Sequence, residues 1–218
     1  MKIVQCWDDG VVDDIRLVEI LRRYGAKASF NLNFSSHGET RGKGWNFGGL
    51  KEVQPLALGE LREVYDGFTI ANHTLTHPHL DKIEPAAALQ EIKGGREALE
   101  QHFGVPVTGF AYPFGSYNES VMDMLREAGH VYGRTCGNAT PCFPPADAMA
   151  FHADCHFLAE DFWNKFELAK EKSEVFYFWG HSYELVTPED WDAFEQKIAR
   201  LAADPDAEWA DLPALFSS

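Results

Sequence analysis

The stretch KIVQCWDDGVVDDIRLVEILRRYGAKASFNLN, residues 2–33, contains one strand–helix–strand unit. Its β-prone ends, 2–7 and 27–33, flank an amphipathic segment at 13–25 that closes with Gly25. A glycine just past the last periodic residue is a common helix stop. Two strands joined through a helix are normally parallel neighbours in one sheet. The stretch therefore predicts an α/β fold built on a parallel sheet.

The rest of the chain repeats this alternation of short β-prone runs and amphipathic segments. We predict strands at 67–71, 108–112, 130–135, 150–157 and 174–180, and helices near 59–65 and at 85–104, 118–129, 161–172 and 188–204. About seven such units suit a closed barrel better than an open sheet. We expect a single (β/α)-barrel domain over residues 1–218, with the glycine-rich stretch 35–49 as a candidate lid loop or rim; a plain long loop is the alternative.

Composition excludes several classes of protein. Hydrophobic residues make up 45% of the chain, which is too many for a disordered protein. No apolar run approaches the roughly 20 residues that a membrane helix needs. The formal net charge of −15 disfavours nucleic acid and anionic membranes as partners. A small or carbohydrate substrate that is neutral or cationic is easier to accept, and nothing in the sequence predicts an oligomeric state.

The amino terminus and the cysteines indicate a reducing compartment. MKIVQCWDDG lacks the long apolar region of a secretory signal, so we expect a cytoplasmic protein. Cys6, Cys136, Cys142 and Cys155 are scattered and form no CxxC motif, which is typical of unpaired thiols. A zinc half-site formed by Cys136 and Cys142 is the alternative.

Carboxylates and imidazoles follow the predicted strands, where a barrel has its mouth. The first strand ends in Asp8 and Asp9, the third runs into the histidines of NHTLTHPHL (72–80), and the last ends in GHSYE (180–184). Each feature is weak alone, but they occupy matching positions in successive units. We therefore expect them to meet in one site.

The spacing of His73 and His77 suits the binding of one metal ion. Imidazoles four residues apart can reach the same ion. HTLTH lacks the glutamate that a metalloprotease helix carries after its first histidine, which argues against a protease. Ordinary loop hydrogen bonds are the alternative for the two histidines by themselves. With Asp9 as third ligand the set leaves an open coordination position, as a catalytic ion requires.

Asp8 and His181 are the candidates for proton transfer. An Asp-Gly turn explains Asp9 and Gly10 but does not require Asp8. A carboxylate beside a metal ion can take a proton from water, which makes Asp8 a candidate general base. His181 ends an apolar strand and is either a core histidine bonded to the backbone or a general acid that protonates a leaving group.

These motifs resemble the polysaccharide deacetylases of carbohydrate esterase family four, whose domain is a distorted (β/α) barrel. The resemblance extends from CWDDG (6–10) to GHSYE. It implies Asp8 as general base, Asp9, His73 and His77 as metal ligands, and His181 as general acid. AYPFG (111–115) is similar to the family's third motif, R-x-P-Y/F-G, which implies that the backbone N–H of Phe114 binds the oxyanion.

Two features depart from the family pattern. The arginine of the third motif, which orients the base in family members, is Ala111 here; Arg134, on the next strand, is our candidate replacement, with a structural ion pair as the alternative. The family's Asp-Trp motif, which tunes the acid histidine, is not recognisable. Asp154, His156 and Glu184 are the candidates for that role.

The resemblance implies a metal-dependent amide hydrolase that deacetylates an N-acetylated sugar or a related small molecule. Zinc is the expected ion, and cobalt, nickel or manganese would fit the same ligands. Hydrolysis of another non-peptide C–N bond, in a cyclic imide or a formamide, is the alternative. A catalytically silent carbohydrate-binding barrel is a further alternative, which the presence of Asp8 disfavours.

Overall fold

The first strand shows how the chain divides its side chains between two layers. In the computed structural model, which describes residues 1–216, this strand spans Lys2–Asp8. Ile3 and Trp7 pack among helix residues, whereas Val4 and Cys6 pack against residues of other strands. Because side chains alternate along a strand, those on one face pack against the helices and those on the other face fill the barrel interior. Trp7 is fully buried in the helix-facing layer.

The predicted helices and strands occur in the predicted order, and the structure adds short strands at 45–47, 51–53 and 208–209 that were not predicted. The strands are β1 (Lys2–Asp8), β2 (Ser29–Leu32), β3 (Trp45–Phe47), β4 (Lys51–Val53), β5 (Thr69–Asn72), β6 (Gly109–Ala111), β7 (Tyr132–Asn138), β8 (Phe151–Ala153), β9 (Cys155–His156), β10 (Val175–Gly180) and β11 (Glu208–Trp209). The helices are α1 (Asp14–Arg23), α2 (Leu61–Val64), α3 (Pro85–Phe103), α4 (Glu119–Glu127), α5 (Phe162–Lys172) and α6 (Pro188–Ala202).

The main sheet forms a nearly closed barrel of parallel strands. Its order is β8-β7-β6-β5-β2-β1-β10-β9, and the short β11 also pairs with β1. The neighbouring pairs are parallel, as the alternation of strands and helices predicts. The carboxyl ends of the strands therefore meet at one mouth, which places the loops after β1, β5, β6 and β10 side by side.

The prediction of a distorted barrel is confirmed. About seven strands were predicted, and the barrel has eight. The segment 150–157 is two short strands rather than one. The first pairs with β7 and the second with β10, so this segment touches both edges of the sheet. Asp154 lies at the break, where its backbone N–H donates to the carbonyl oxygen of Tyr177 at 2.8 Å. The chain thus changes partner strands at one residue and brings the two edges together.

The glycine-rich stretch 35–49, expected to be a lid, a rim or a plain loop, contains β3, the first strand of a small hairpin outside the barrel. Its strands β3 and β4 are antiparallel and pair Trp45 with Val53. Among residues 1–216, no helix combines the length and the apolarity that crossing a bilayer requires.

Candidate active site

Asp8 and Asp9 occupy the carboxyl end of β1, where the backbone turns sharply. Asp9 has a φ of 82° and Gly10 a φ of 67°, so the turn uses left-handed conformations at two successive residues. A Cβ at Gly10 would lie 2.6 Å from Cε1 of His37, which requires glycine there. The turn separates the two carboxylates, because Asp8 stays on the strand and Asp9 leaves it.

Both oxygens of Asp8 are held by buried side chains. Asn31, opposite Asp8 on β2, donates from Nδ2 to Oδ1 at 2.7 Å. The guanidinium of Arg134 donates to Oδ2. Burial alone would raise the pKa of Asp8, but the charges of Arg134, His73 and His181 and the hydrogen bond from Arg134 together outweigh burial and hold that pKa well below its ordinary value. Asp8 is therefore a fixed, ionised carboxylate.

Arg134 reaches Asp8 from β7, one strand away from the position that the motif arginine would occupy. It is directly opposite Ala111 in the register of β6 and β7. The side chain is 1% exposed and its guanidinium carbon lies 4.6 Å from the ring centre of Trp179. Ala111 on β6 occupies the position of the motif arginine, so the guanidinium beside Asp8 comes from β7 instead.

Asp9, His73 and His77 form a set of donors that fits a metal ion. Nε2 of His73 and Nε2 of His77 lie 3.0 Å apart, and Oδ1 of Asp9 lies 3.8 Å and 3.7 Å from them. Ligand atoms about 2.1 Å from a tetrahedral zinc ion would be about 3.4 Å apart. The three measured distances bracket this value, and the donor types are those zinc prefers.

The loop after β5 turns both imidazoles inward. Nδ1 of His73 lies 2.8 Å from the carbonyl oxygen of Ala111, which fixes the hydrogen on Nδ1 and leaves Nε2 as the ligand atom. The backbone N–H of His77 donates to Oγ1 of Thr74 at 3.0 Å. Burial and the nearby His73 lower the pKa of His77 to about 4, so His77 is neutral, as a metal ligand must be.

Backbone strain is concentrated in these loops. Within residues 1–216, the non-glycine residues with positive φ are Asp9, Thr74, His77 and Phe114. Each belongs to one of the three motifs after β1, β5 and β6. Such conformations persist only where the surrounding structure enforces them, and they are common at functional sites. The strained threonine is especially notable because β-branched residues rarely adopt this conformation.

His181 lies after β10 with its two ring nitrogens facing different carboxylates. Nε2 is 3.8 Å from Oδ2 of Asp8 and 4.0 Å from Oδ2 of Asp9, while Nδ1 is 3.3 Å from Oε2 of Glu184. Burial would lower the pKa of His181, but Glu184 and the two aspartates raise it. His181 is thus favoured in its protonated form beside the candidate metal ligands.

Glu184 is the partner of His181 among the three candidates from the sequence. Its Oε2 accepts from the backbone N–H of His181 at 3.0 Å and lies 2.9 Å from Nε2 of His156. Burial opposes ionisation, but these contacts lower the pKa of Glu184 to about 2. Asp154 instead accepts a hydrogen bond from the backbone N–H of Tyr177 at 2.8 Å, at the closure of the barrel.

Phe114 lies on the far side of the histidines. It belongs to a short 3₁₀ turn after β6 with a φ of 57°. Its ring stacks on His79 with centres 4.0 Å apart and meets His77 edge-on at 4.5 Å. The side chain is 59% exposed, so the turn displays an aromatic ring at the mouth.

The sequence reasoning missed Asn31 as a partner of Asp8. The available signal was a polar residue within the otherwise buried strand SFNL (29–32). Tyr183 is a second addition, since its hydroxyl donates to Oδ2 of Asp9 at 3.4 Å.

The cysteines are free thiols, and within residues 1–216 the groups that could hold a metal ion contain no cysteine.

Comparison with known proteins indicates the same protein family as the sequence motifs. A family model described as polysaccharide deacetylase matches residues 1–133, which include Asp8, Asp9, His73, His77 and Phe114 but stop before Arg134 and His181. The uncharacterized protein YlxY of Bacillus subtilis (strain 168) is 34% identical over 112 residues, covering 51% of this chain and 30% of that protein. The chain thus spans about a third of the length of this curated relative.

Solved structures share the fold at low sequence identity. Peptidoglycan deacetylase PdaC from Bacillus subtilis is 16% identical with a TM-score of 0.59, over 98% of this chain and 89% of that one. The family 4 carbohydrate esterase from Streptomyces lividans, solved in complex with acetate, is 16% identical with a TM-score of 0.60, over 94% and 90%. From the match of the family model to more than half of its length, and from the barrel it shares with these structures, the chain belongs to the polysaccharide deacetylase family.

Proposed function

We propose that this protein is a metal-dependent deacetylase that hydrolyses the acetamide of an N-acetylated sugar. The observation that carries the proposal is one arrangement at the barrel mouth. The candidate ligand atoms of Asp9, His73 and His77 lie close together, and Nε2 of His181 lies 3.8 Å from Asp8 and 4.0 Å from Asp9. Family membership supports a hydrolase acting on C–N bonds, and the donor set supports a divalent ion such as zinc.

Asp9, His73 and His77 would hold the ion in this proposal. When bound, a divalent ion supplies a Lewis acid that polarises a carbonyl and lowers the pKa of water to about 7. The remaining work falls to the side chains of this chain. They must position the substrate, accept a proton from water and return a proton to the leaving amine.

Asp8 acts as the proton acceptor. The contacts from Asn31 and Arg134 keep it ionised and hold its carboxylate in one orientation. The contacts with Asn31 and Arg134 also make Asp8 a weaker base, so it can accept a proton only from water whose pKa has been lowered. Asp8 then holds the proton at a carboxylate oxygen while the C–N bond is still intact.

His181 acts as the proton donor. Its raised pKa favours the imidazolium, and its Nε2 faces Asp8 and Asp9 across the mouth. Oε2 of Glu184 lies 3.3 Å from Nδ1, so Nε2, which faces Asp8 and Asp9, delivers the proton to the departing nitrogen. The backbone N–H of Phe114 donates a hydrogen bond to the oxyanion, from the turn that follows β6.

The test compares Asp8→Asn with Asp9→Asn. We expect Asp8→Asn to keep its zinc, measured by elemental analysis, and to lose turnover by about 10²-fold or more, the scale of general base catalysis. Asp9→Asn should lose zinc as well as activity. Melting curves of both variants show whether either has unfolded, since Asp8→Asn leaves Arg134 without its partner.

The substrate is tested by acetate release from N-acetylglucosamine oligomers, with and without chelator. Acetate release that stops with chelator and in Asp8→Asn supports the proposal. Near-normal turnover in Asp8→Asn contradicts the role of that residue. Products from a cyclic imide or a formamide alone would assign a different C–N bond, and no product from any amide would indicate a catalytically silent barrel.

A further inference from the structure

The small hairpin beside the mouth presents two aromatic rings on one face. Trp45 and Phe47 are two residues apart on β3, so their side chains project in the same direction. Trp45 is 40% exposed, which is unusual for so large an apolar ring. A Cβ at Gly44 would lie 1.8 Å from the carbonyl oxygen of Val53, so only glycine allows β3 to run this close to β4.

The hairpin is attached to the two loops that carry the site. The ammonium of Lys51 donates to Oδ1 of Asp13 at 2.6 Å and to the carbonyl oxygen of Leu185 at 3.1 Å. The backbone N–H of Val12 donates to the carbonyl oxygen of Gln54 at 2.9 Å. One attachment therefore lies just beyond Asp9 and the other just beyond Glu184, which holds the hairpin at a fixed place on the rim.

Tyr183 connects the two hairpin aromatics to the catalytic candidates. Its ring meets Trp45 edge-on at 5.6 Å and Phe47 at 5.1 Å. The same ring stacks on His181 with centres 4.9 Å apart, and its hydroxyl reaches Asp9. Trp45 is thus one ring away from the proposed proton donor.

Phe114 is a second exposed aromatic ring that contacts the candidate metal ligands. It meets His77, which lies 3.7 Å from Asp9, and Asp9 in turn contacts Tyr183. Contacts through the candidate ligands and Tyr183 therefore connect Phe114 after β6 with Trp45 on the hairpin.

We propose that Trp45 and Phe47 form a binding wall for the pyranose ring of a neutral N-acylated sugar. This wall, which rests on the proposed deacetylase function, would take the sugar ring next to the one whose acetamide reaches Asp8 and His181. Aromatic faces pack against the C–H faces of sugar rings, and the net charge of −15 disfavours an anionic sugar. Trp45 and Phe47 are binding residues here and take no part in proton transfer.

The experiment compares Trp45→Ala with Leu50→Ala as matched control. Leu50 is an apolar residue of the same hairpin and is 66% exposed. Two substrates are used: the N-acetylglucosamine trimer, and an aryl acetate that has no sugar ring. For the trimer we expect Trp45→Ala to raise KM by about five- to tenfold with little change in kcat, the pattern of lost uniform binding.

The aryl acetate separates binding from a structural effect. The loss of kcat/KM in Trp45→Ala should be several-fold larger for the trimer than for the ester, and Leu50→Ala should show no such difference. Equal losses on both substrates would mean that Trp45 only supports Tyr183, and an unchanged KM for the trimer would also overturn the proposal.

A binding measurement keeps this inference separate from the deacetylase proposal. Zinc-loaded Asp8→Asn protein is titrated with the trimer by calorimetry, alone and with Trp45→Ala added. Weaker binding in the double variant supports the wall even if the wild type releases no acetate, in which case only the deacetylase proposal fails. Equal binding in both proteins overturns the wall even if the wild type is an active deacetylase.

Discussion

Asp14 illustrates how a single buried carboxyl group can link the first helix to the loop that carries the candidate residue His181. It is fully buried at the start of α1, where Oδ2 accepts from the hydroxyl of Tyr65 at 2.6 Å and Oδ1 accepts from Ser182. Burial raises the pKa of Asp14 to about 7, despite these hydrogen bonds. Ser182 directly follows His181, so this contact joins two distant parts of the chain.

The raised pKa of Asp14 predicts a pH dependence of stability. The folded protein binds the proton of Asp14 more tightly than the unfolded chain, so its stabilising effect is complete below about pH 4 and is lost as pH rises through about 7. Asp14→Asn mimics the protonated form and carries no such loss. Relative to wild type, the variant should gain up to roughly 4 kcal/mol in free energy of unfolding between pH 4 and pH 8.

The measurement is the difference between the melting temperatures of Asp14→Asn and wild type across that range. The difference removes opposing contributions such as that of His130, whose pKa burial lowers to about 4 and whose effect has the opposite slope. Asp192→Asn, which alters an exposed carboxylate on α6, is the control. A flat difference curve for Asp14→Asn would contradict the assigned protonation.

The helix α3 packs beside the candidate metal-binding loop, and two adjacent glycines of this helix, Gly94 and Gly95, differ in their surroundings. A Cβ at Gly95 would lie 2.5 Å from Oδ1 of Asn72 and 2.8 Å from the carbonyl carbon of Thr74. A Cβ at Gly94 would lie 2.7 Å from Cδ1 of Leu75, the end of a flexible side chain. Of the two glycines, only Gly95 therefore lies against the backbone of the loop that follows β5.

This contrast predicts different effects for two alanine substitutions in one helix. Gly95→Ala should displace the loop after β5 and weaken zinc binding by about tenfold or more, the usual effect of disturbing residues around metal ligands. Gly94→Ala should leave zinc affinity unchanged and gain up to about 1 kcal/mol from better helix propensity. Zinc titration and melting curves of both variants provide the measurement, and equal zinc affinity in the two would refute the proposed support.

The candidate metal ligands follow different strands, so they lie close together only in the folded barrel. Asp9 follows β1 and the two histidines follow β5, and in the barrel these strands are separated by β2 alone. An ion bound by both loops would therefore stabilise the folded state and have no equivalent site in the unfolded chain. The proposed site thus predicts a link between zinc and global stability.

Zinc should raise the melting temperature of protein first stripped with chelator. At a free concentration about 100-fold above Kd, the gain is about 2.7 kcal/mol, which corresponds to roughly 5–11 °C for a chain of this size. His73→Ala should abolish the gain. His79→Ala is the matched control, because His79 lies in the same loop and stacks on Phe114 but is outside the ligand set. A full gain in His73→Ala would exclude the proposed ligands.

Local patterns in the sequence were sufficient for the barrel and for most of the candidate site. Alternating strands and helices predict a parallel sheet because helical crossovers allow few other arrangements. The histidine spacing and the paired aspartates indicate a metal site because each places its side chains within reach of one another along the chain. These signals are short-range, so the amino-acid order alone contains them.

Tertiary structure decided the features that depend on contact between distant segments. Whether Arg134 or another cation would reach Asp8 depended on the register of β7 against β6. Glu184 lies three residues from His181 in the same turn, whereas Asp154 accepts from the backbone of Tyr177 at the closure of the sheet, and only the tertiary structure shows this second contact. The split of 150–157 into two strands depended on closure of the sheet around Asp154. The sequence names the candidates, but pairing across more than a hundred residues is set by the packing of the whole barrel, which no local pattern encodes.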